Sequence, residues 1–191
     1  MREGVIGRVL VASLHQAITE RLPARVAFYG HWLDGEGLSV KSIGLAPMLA
    51  VLSFLRQEGD APYADVMRHA GRYAADWSIE DLPSIKRTLL ATGPRWLRRY
   101  VLARVFTRLT REVFEKSRAT VRIRRGVARI VLRDSIFCTV REPVTHPLCQ
   151  FYEGAARQLF ERLSPDVRVE QVSCRGMEKG STTCVLNLVI E

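Results

Sequence analysis

The chain has 191 residues, 47% hydrophobic and 26% charged, with 29 Lys and Arg against 20 Asp and Glu for a net charge of +9. This is ordinary globular composition at a length suited to one domain, which excludes a disordered or low-complexity chain and argues against two independent cores. The longest run without a charged side chain, Ser42 to Leu55, is 14 residues, short of the roughly 18–20 needed to span a bilayer, so it is expected to be a buried helix.

In chain order, Ile6, Val9, Leu10, Leu14, Ala17, Ile18 and Leu22 recur at spacings of three and four, which predicts an amphipathic helix over 4–22 ended by Pro23. Residues 30–44 carry four glycines and read as a loop holding His31, Trp32 and Asp34. His31, Trp32 and the preceding Tyr29 are candidates for a pocket mouth. Helices are expected over 45–57, 62–77 and 82–91. Thr92-Gly93-Pro94 then breaks the chain before a further helix that runs to about Glu115 through Leu97, Val101, Val105, Leu109 and Val113.

From Ser117 the hydrophobic period changes to two. Strands are expected over 120–124 and 127–132 around Arg125-Gly126, with a third over 135–140. A helix follows from Thr145 to about Leu163, its core face being Leu148, Phe151, Tyr152, Ala155, Leu159 and Phe160. Strands over 167–172 and 185–190 pair across a loop containing Gly176 and Gly180. The expected architecture is α+β: a helical N-terminal half, 1–116, packed on an antiparallel sheet formed by a strand-strand-helix-strand-strand unit, 118–190, all within a single domain, 1–191.

Charge and cysteine are unevenly placed. Between Lys86 and Arg133 there are fifteen basic residues and only Glu112 and Glu115, a net of +13. Such a band attracts phosphate-bearing partners, or is simply a solvated face. Arg98, Arg99 and Arg108 are its candidate contact residues. The interleaved Trp96, Tyr100 and Phe106 suit a core stripe as well as base stacking, and nucleic acid is not the expected partner. The N-terminus has Arg8 ahead of any apolar run and no small-residue cleavage site after one, so no secretory leader is expected and the cytoplasm is the default compartment. All four cysteines, Cys138, Cys149, Cys174 and Cys184, lie in the last third. The compartment disfavours a Cys174–Cys184 disulfide.

Cys149 falls at the start of its helix, where unpaired N–H groups and the helix dipole favour thiolate. Cys174 and Cys184 flank a loop between paired strands and can face one another, close enough to share a tetrahedral ion. Three thiolates leave one position, for which Glu170, His146 and Cys138 are candidates. The alternative is that these cysteines are small buried apolar side chains. His15 and His69 lie on helices near apolar stripes, where a histidine is usually hydrogen-bonded or exposed. There is no GxSxG elbow, phosphate loop, GxGxxG turn or HExxH helix, so an enzyme reading has no motif behind it.

The series Val127, Ile130-Val131-Leu132, Ser135-Ile136-Phe137-Cys138, then Cys149-x-Phe151-x-x-Gly154, then Val167-x-Val169-Glu170 with Cys174-x-Gly176 and Cys184 resembles the 4-vinyl reductase domain. That family includes a bacteriochlorophyll biosynthesis protein and hydrocarbon sensors, and is related to vesicle-tethering subunits. The resemblance covers about 118–190, and the helices of 1–116 match in general layout those that complete the ligand pocket. It implies a binding module that encloses a hydrophobic small molecule, whether aromatic, tetrapyrrole or lipid-like, in an internal pocket, often as a homodimer and with zinc near the cysteines. The implied metal set is Cys149, Cys174 and Cys184 with Glu170. Relatives carry a glutamate three residues before the second cysteine, where this chain has Gln171. The expected pocket is lined by Trp96, Tyr100, Phe106, Phe137, Phe151 and Tyr152. The other reading is an interaction or tethering protein whose basic band meets a protein partner or an anionic membrane surface.

Overall fold

The computed structural model describes residues 4–33, 44–140, 143–178 and 180–190. Seven α-helices and a four-stranded antiparallel sheet lie among them, the expected α+β class. The helices are α1 (Arg8–Arg21), α2 (Val26–Leu33), α3 (Leu45–Gln57), α4 (Asp60–Glu80), α5 (Ser84–Thr92), α6 (Arg95–Val113) and α7 (Gln150–Phe160). The strands are β1 (Arg118–Arg124), β2 (Val127–Arg133), β3 (Arg168–Ser173) and β4 (Thr183–Val189), ordered β1-β2-β4-β3. No helix among the described residues is long and apolar enough to cross a membrane.

Three expectations change. Tyr29 to Leu33 belong to α2 rather than to a loop, because the apolar run from Val26 outweighs the single Gly30. The rest of the expected loop, Asp34 included, lies outside the described residues. The expected strand over 135–140 is instead a 3₁₀ turn, Ile136–Cys138, whose three side chains are all buried. Three consecutive buried residues suit a helical turn but not a strand, whose side chains alternate between faces. Finally, α7 starts at Gln150 and not at Thr145, leaving His146 and Pro147 in the preceding loop and Cys149 at the N-cap.

The β1–β2 hairpin turns on Arg125 (φ 49°) and Gly126 (φ 77°), the two positive-φ positions that a tight two-residue connection requires. One face of the sheet is buried through Ala128, Ile130 and Leu132 of β2 and Cys184, Leu186 and Leu188 of β4. The other is exposed and basic. On it Arg122 stands directly opposite Arg129, and Arg118 opposite Arg133.

Helix α7 covers the buried face and is itself gripped by α4. The two helices cross on glycine: a Cβ at Gly71 would lie 2.0 Å from the Phe151 carbonyl oxygen, and one at Gly154 would lie 2.2 Å from that of Arg68. Only residues without a side chain allow this approach. Tyr63, buried on α4, donates its hydroxyl to the Leu148 carbonyl at 3.1 Å, fixing the loop that leads into α7.

Candidate metal centre and ligand cleft

Four separate elements deliver one sulfur each to a single point. Cys138 ends the 3₁₀ turn after β2, Cys149 caps α7, Cys174 follows β3 and Cys184 lies on the inward face of β4. All four are buried, and their Sγ atoms lie within 4.8 Å of one another. Cys149 is 3.1 Å from Cys184 and 3.2 Å from Cys138, which is in turn 3.4 Å from Cys184 and 3.5 Å from Cys174.

A tetrahedral ion with Zn–S bonds of about 2.3 Å has sulfur–sulfur edges of about 3.8 Å, so these distances match a single tetrathiolate ion after a few tenths of an ångström of expansion. The surroundings fit as well. The backbone N–H of Leu148 donates to Cys174 Sγ at 3.4 Å and that of Arg175 to Cys184 Sγ at 3.3 Å, the outer contacts that fix thiolate ligands. The N-terminus of α7, the positive end of its dipole, carries Cys149. Without an ion, four touching thiols cannot all ionise. Hydrogen bonds from Cys138, Cys149 and Cys184 pull the Cys174 thiol down, whereas the hydrogen bonds with Cys138, Cys174 and Cys184, together with burial, push Cys149 up.

The fourth sulfur comes from Cys138. Glu170 is exposed, pairs with Asn187 in register and does not join the thiol group, because strand alternation sends it to the outer face. The register shifts between Gln171 and Ser173, a bulge that re-sets the strand just before Cys174. His146 is half-buried, with Nδ1 3.0 Å from Asp60 and its ring against Tyr63, and it too stays outside the group. Residue type and the family resemblance gave Cys138 no precedence over those two; the signal that could have found it is the fourth cysteine itself, closing a matched set of one donor type.

The expected pocket residues separate into two groups. Phe106, Phe137, Phe151 and Tyr152 are fully buried and pack on one another with ring centroids 5.1–6.3 Å apart. Tyr152 faces Ser117 Oγ at 3.5 Å, and burial pushes its hydroxyl pKa up. These rings fill the space between α7, α6 and the sheet with one another. Trp96 and Tyr100 are instead 69% and 57% exposed. They share the i, i+4 row of α6 that continues through Arg104 and Arg108, opposite the buried stripe Leu102, Phe106, Leu109 and Val113. Arg104 lies over the Tyr100 ring, 5.8 Å from its centroid.

Beside that row is a half-open cleft of about 670 Å³ between α6 and the start of α5. Leu82, Val101 and Val105 form its apolar floor, and Lys86, Arg104, Arg108 and Arg111 its cationic rim. Of the basic-band residues, Arg98 donates to the Arg162 carbonyl and Arg108 holds Glu112 at 2.5 Å, while Arg99 is half-buried. Tyr29 is buried with its hydroxyl donated to Glu58 at 3.1 Å, and Trp32 packs on Phe54; neither lines the cleft.

Among curated proteins, none matches the chain. In fold it is similar to the phenol-responsive sensory domain of the transcription activator PoxR, solved with phenol, at a TM-score of 0.57 and 16% identity over 78% of this chain and 75% of that one. It is also similar to an H-NOX protein from S. oneidensis in an Fe(II) ligation state, at a TM-score of 0.56 and 11% identity over 97% of this chain and 96% of that one. Residues 128–190, which supply all four thiols together with β2, α7, β3 and β4, match the family model of the 4-vinyl reductase domain. The C-terminal third of this chain is therefore a 4-vinyl reductase domain.

Proposed function

We propose that the protein is a binding module for a hydrophobic small molecule bearing an anionic group, stapled by a zinc ion on Cys138, Cys149, Cys174 and Cys184. The observation that carries the ligand reading is the cleft along α6, whose volume of about 670 Å³ falls within the 300–1,000 Å³ usual for small-molecule sites. An apolar floor ringed by cations favours an apolar body with a carboxylate, sulfonate or phosphate at its edge. Likeness of fold to the PoxR sensory domain, which was solved with phenol, supports a role in small-molecule recognition. The buried ring cluster argues against the enclosed pocket beneath the sheet expected from the sequence, and in favour of a site on the flank of α6.

The four thiols would hold the ion structurally. A closed tetrathiolate leaves no position for water or substrate, so the ion's part is to tie β2, β3, β4 and the α7 N-terminus together.

The experiment is a fluorescence titration with 1-anilinonaphthalene-8-sulfonate, an apolar anion. One saturable site is expected. Thr107→Trp, which places a large side chain on the cleft wall, should block it, and Arg104→Ala should weaken it while leaving the neutral parent 1-anilinonaphthalene unaffected. Unchanged binding in Thr107→Trp would place the site elsewhere and refute the reading.

A further inference from the structure

The stretch from Leu82 to Arg111 contains eight basic residues and no acidic one. It folds as the α5–α6 hairpin, in which α5 packs chiefly on α6 and leaves every residue from Pro83 to Thr88 exposed. Three large apolar side chains stand in water there: Ile85 is 77% exposed, alongside the outward Trp96 and Tyr100. Around them Lys86, Arg87, Arg95 and Arg104 are also exposed, and none of the four forms an ion pair among the described residues.

The three most exposed large apolar side chains of the described residues thus share one hairpin with its densest positive charge. Isoleucine and tryptophan projecting among lysine and arginine are what a helix presents to the boundary between lipid headgroups and acyl chains. Two other occupants fit less well. A second copy meeting this face about a two-fold axis would set eight positive charges against eight. A nucleic acid would use the arginines, but Ile85, the most exposed of the three, offers a base no stacking face.

We propose that the α5–α6 hairpin docks the protein on an anionic lipid surface, with Ile85 and Trp96 entering the headgroup region and Arg87 and Arg95 against lipid phosphates. Neither side chain pair lines the cleft, so the docking does not depend on the ligand reading. A homodimer of the kind the family resemblance implies would form through another face.

The test is cosedimentation of the whole chain with phosphatidylcholine vesicles and with vesicles that also contain phosphatidylglycerol. Binding is expected only to the second kind and should weaken as salt rises. Arg87→Ala with Arg95→Ala should lower the partition coefficient about 25-fold, at about fivefold per basic residue near the surface. Ile85→Ser with Trp96→Ser should lower it by roughly tenfold or more through lost apolar burial, and Trp96→Phe should remove the blue shift of tryptophan emission. All of these positions are exposed, so thermal unfolding should match the parent chain; if the apolar pair shifts it, the arginine pair carries the test. Equal binding to both vesicle types, or wild-type partition in either pair, would overturn the proposal. So would a solution dimer, or oligonucleotide binding without vesicle binding, that the same substitutions abolish.

Discussion

Replacing Gly154 by alanine should loosen the α4–α7 seam and with it the thiol site. The new Cβ would meet the Arg68 carbonyl oxygen at 2.2 Å and its carbonyl carbon and Cα at 2.8 Å, inside any normal contact. The atoms struck are backbone, so the two helices must separate by about 1 Å. Overpacking costs about 1–3 kcal/mol, and a backbone collision belongs at the top of that range. The higher helix propensity of alanine returns about 1 kcal/mol, leaving a net loss of about 2 kcal/mol. At about 2–4 °C per kcal/mol for a chain of this size, the melting temperature should fall by about 4–8 °C. Cys149 rides on the same helix, five residues before Gly154. Its reaction with a disulfide reagent in metal-free protein should therefore quicken. Gly71→Ala strikes the same seam from α4, so the double variant should lose less than the sum of the two. A melting temperature equal to or above that of the parent chain would refute the argument, since the propensity gain would then be acting alone.

Other outcomes follow from the same geometry. Cobalt(II) added to metal-free protein should give the absorption of a tetrahedral tetrathiolate. Cys138→Ser should weaken and shift it while Glu170→Gln leaves it unchanged, and the reverse result would restore the carboxylate as fourth ligand. Arg129→Glu turns the Arg122–Arg129 juxtaposition on the outer sheet face into an opposite-charge pair; a gain of about 0.5–1 kcal/mol is expected at low salt, shrinking as salt rises, in chemical denaturation. Asp65 is held below its ordinary carboxylate pKa by the hydrogen bond from Arg21, 2.6 Å away. A depressed native pKa means that the stabilisation is present above the unfolded value of about 3.9 and is lost as pH falls through the native one. Because both partners are more than 40% exposed, Asp65→Asn should cost only about 0.2–1 kcal/mol at neutral pH and nothing at acid extremes.

Much of the fold was legible in the chain because two local rules apply without interference. Apolar residues at three- and four-residue spacing predicted α1, α3, α4, α5 and α6, and the Arg125-Gly126 pair predicted the β1–β2 turn, since each depends on neighbours within one element. The segment 135–140 misled: its apolar run suits a strand, a helical turn or a core plug equally, and what chose the 3₁₀ turn was the need to bury Ile136, Phe137 and Cys138 together. The grouping of cysteines in the last third pointed to a site, and the periodicity of β3 set Glu170 on the face away from Cys174.

What sequence could not rank was Cys138 against His146 and Glu170, because the four sulfurs come from positions as much as 46 residues apart, and their convergence exists only once sheet order, the β3 bulge and the α4–α7 crossing are in place. The fate of the aromatic residues was likewise a tertiary matter. Phe106 and Tyr100 lie six residues apart on one helix, and which faced inward depended on the phase at which α6 met α7 and the sheet. That phase buried Phe106 among the rings of Phe137, Phe151 and Tyr152, left Tyr100 and Trp96 in solvent, and moved the candidate binding site from beneath the sheet to the flank of the helix.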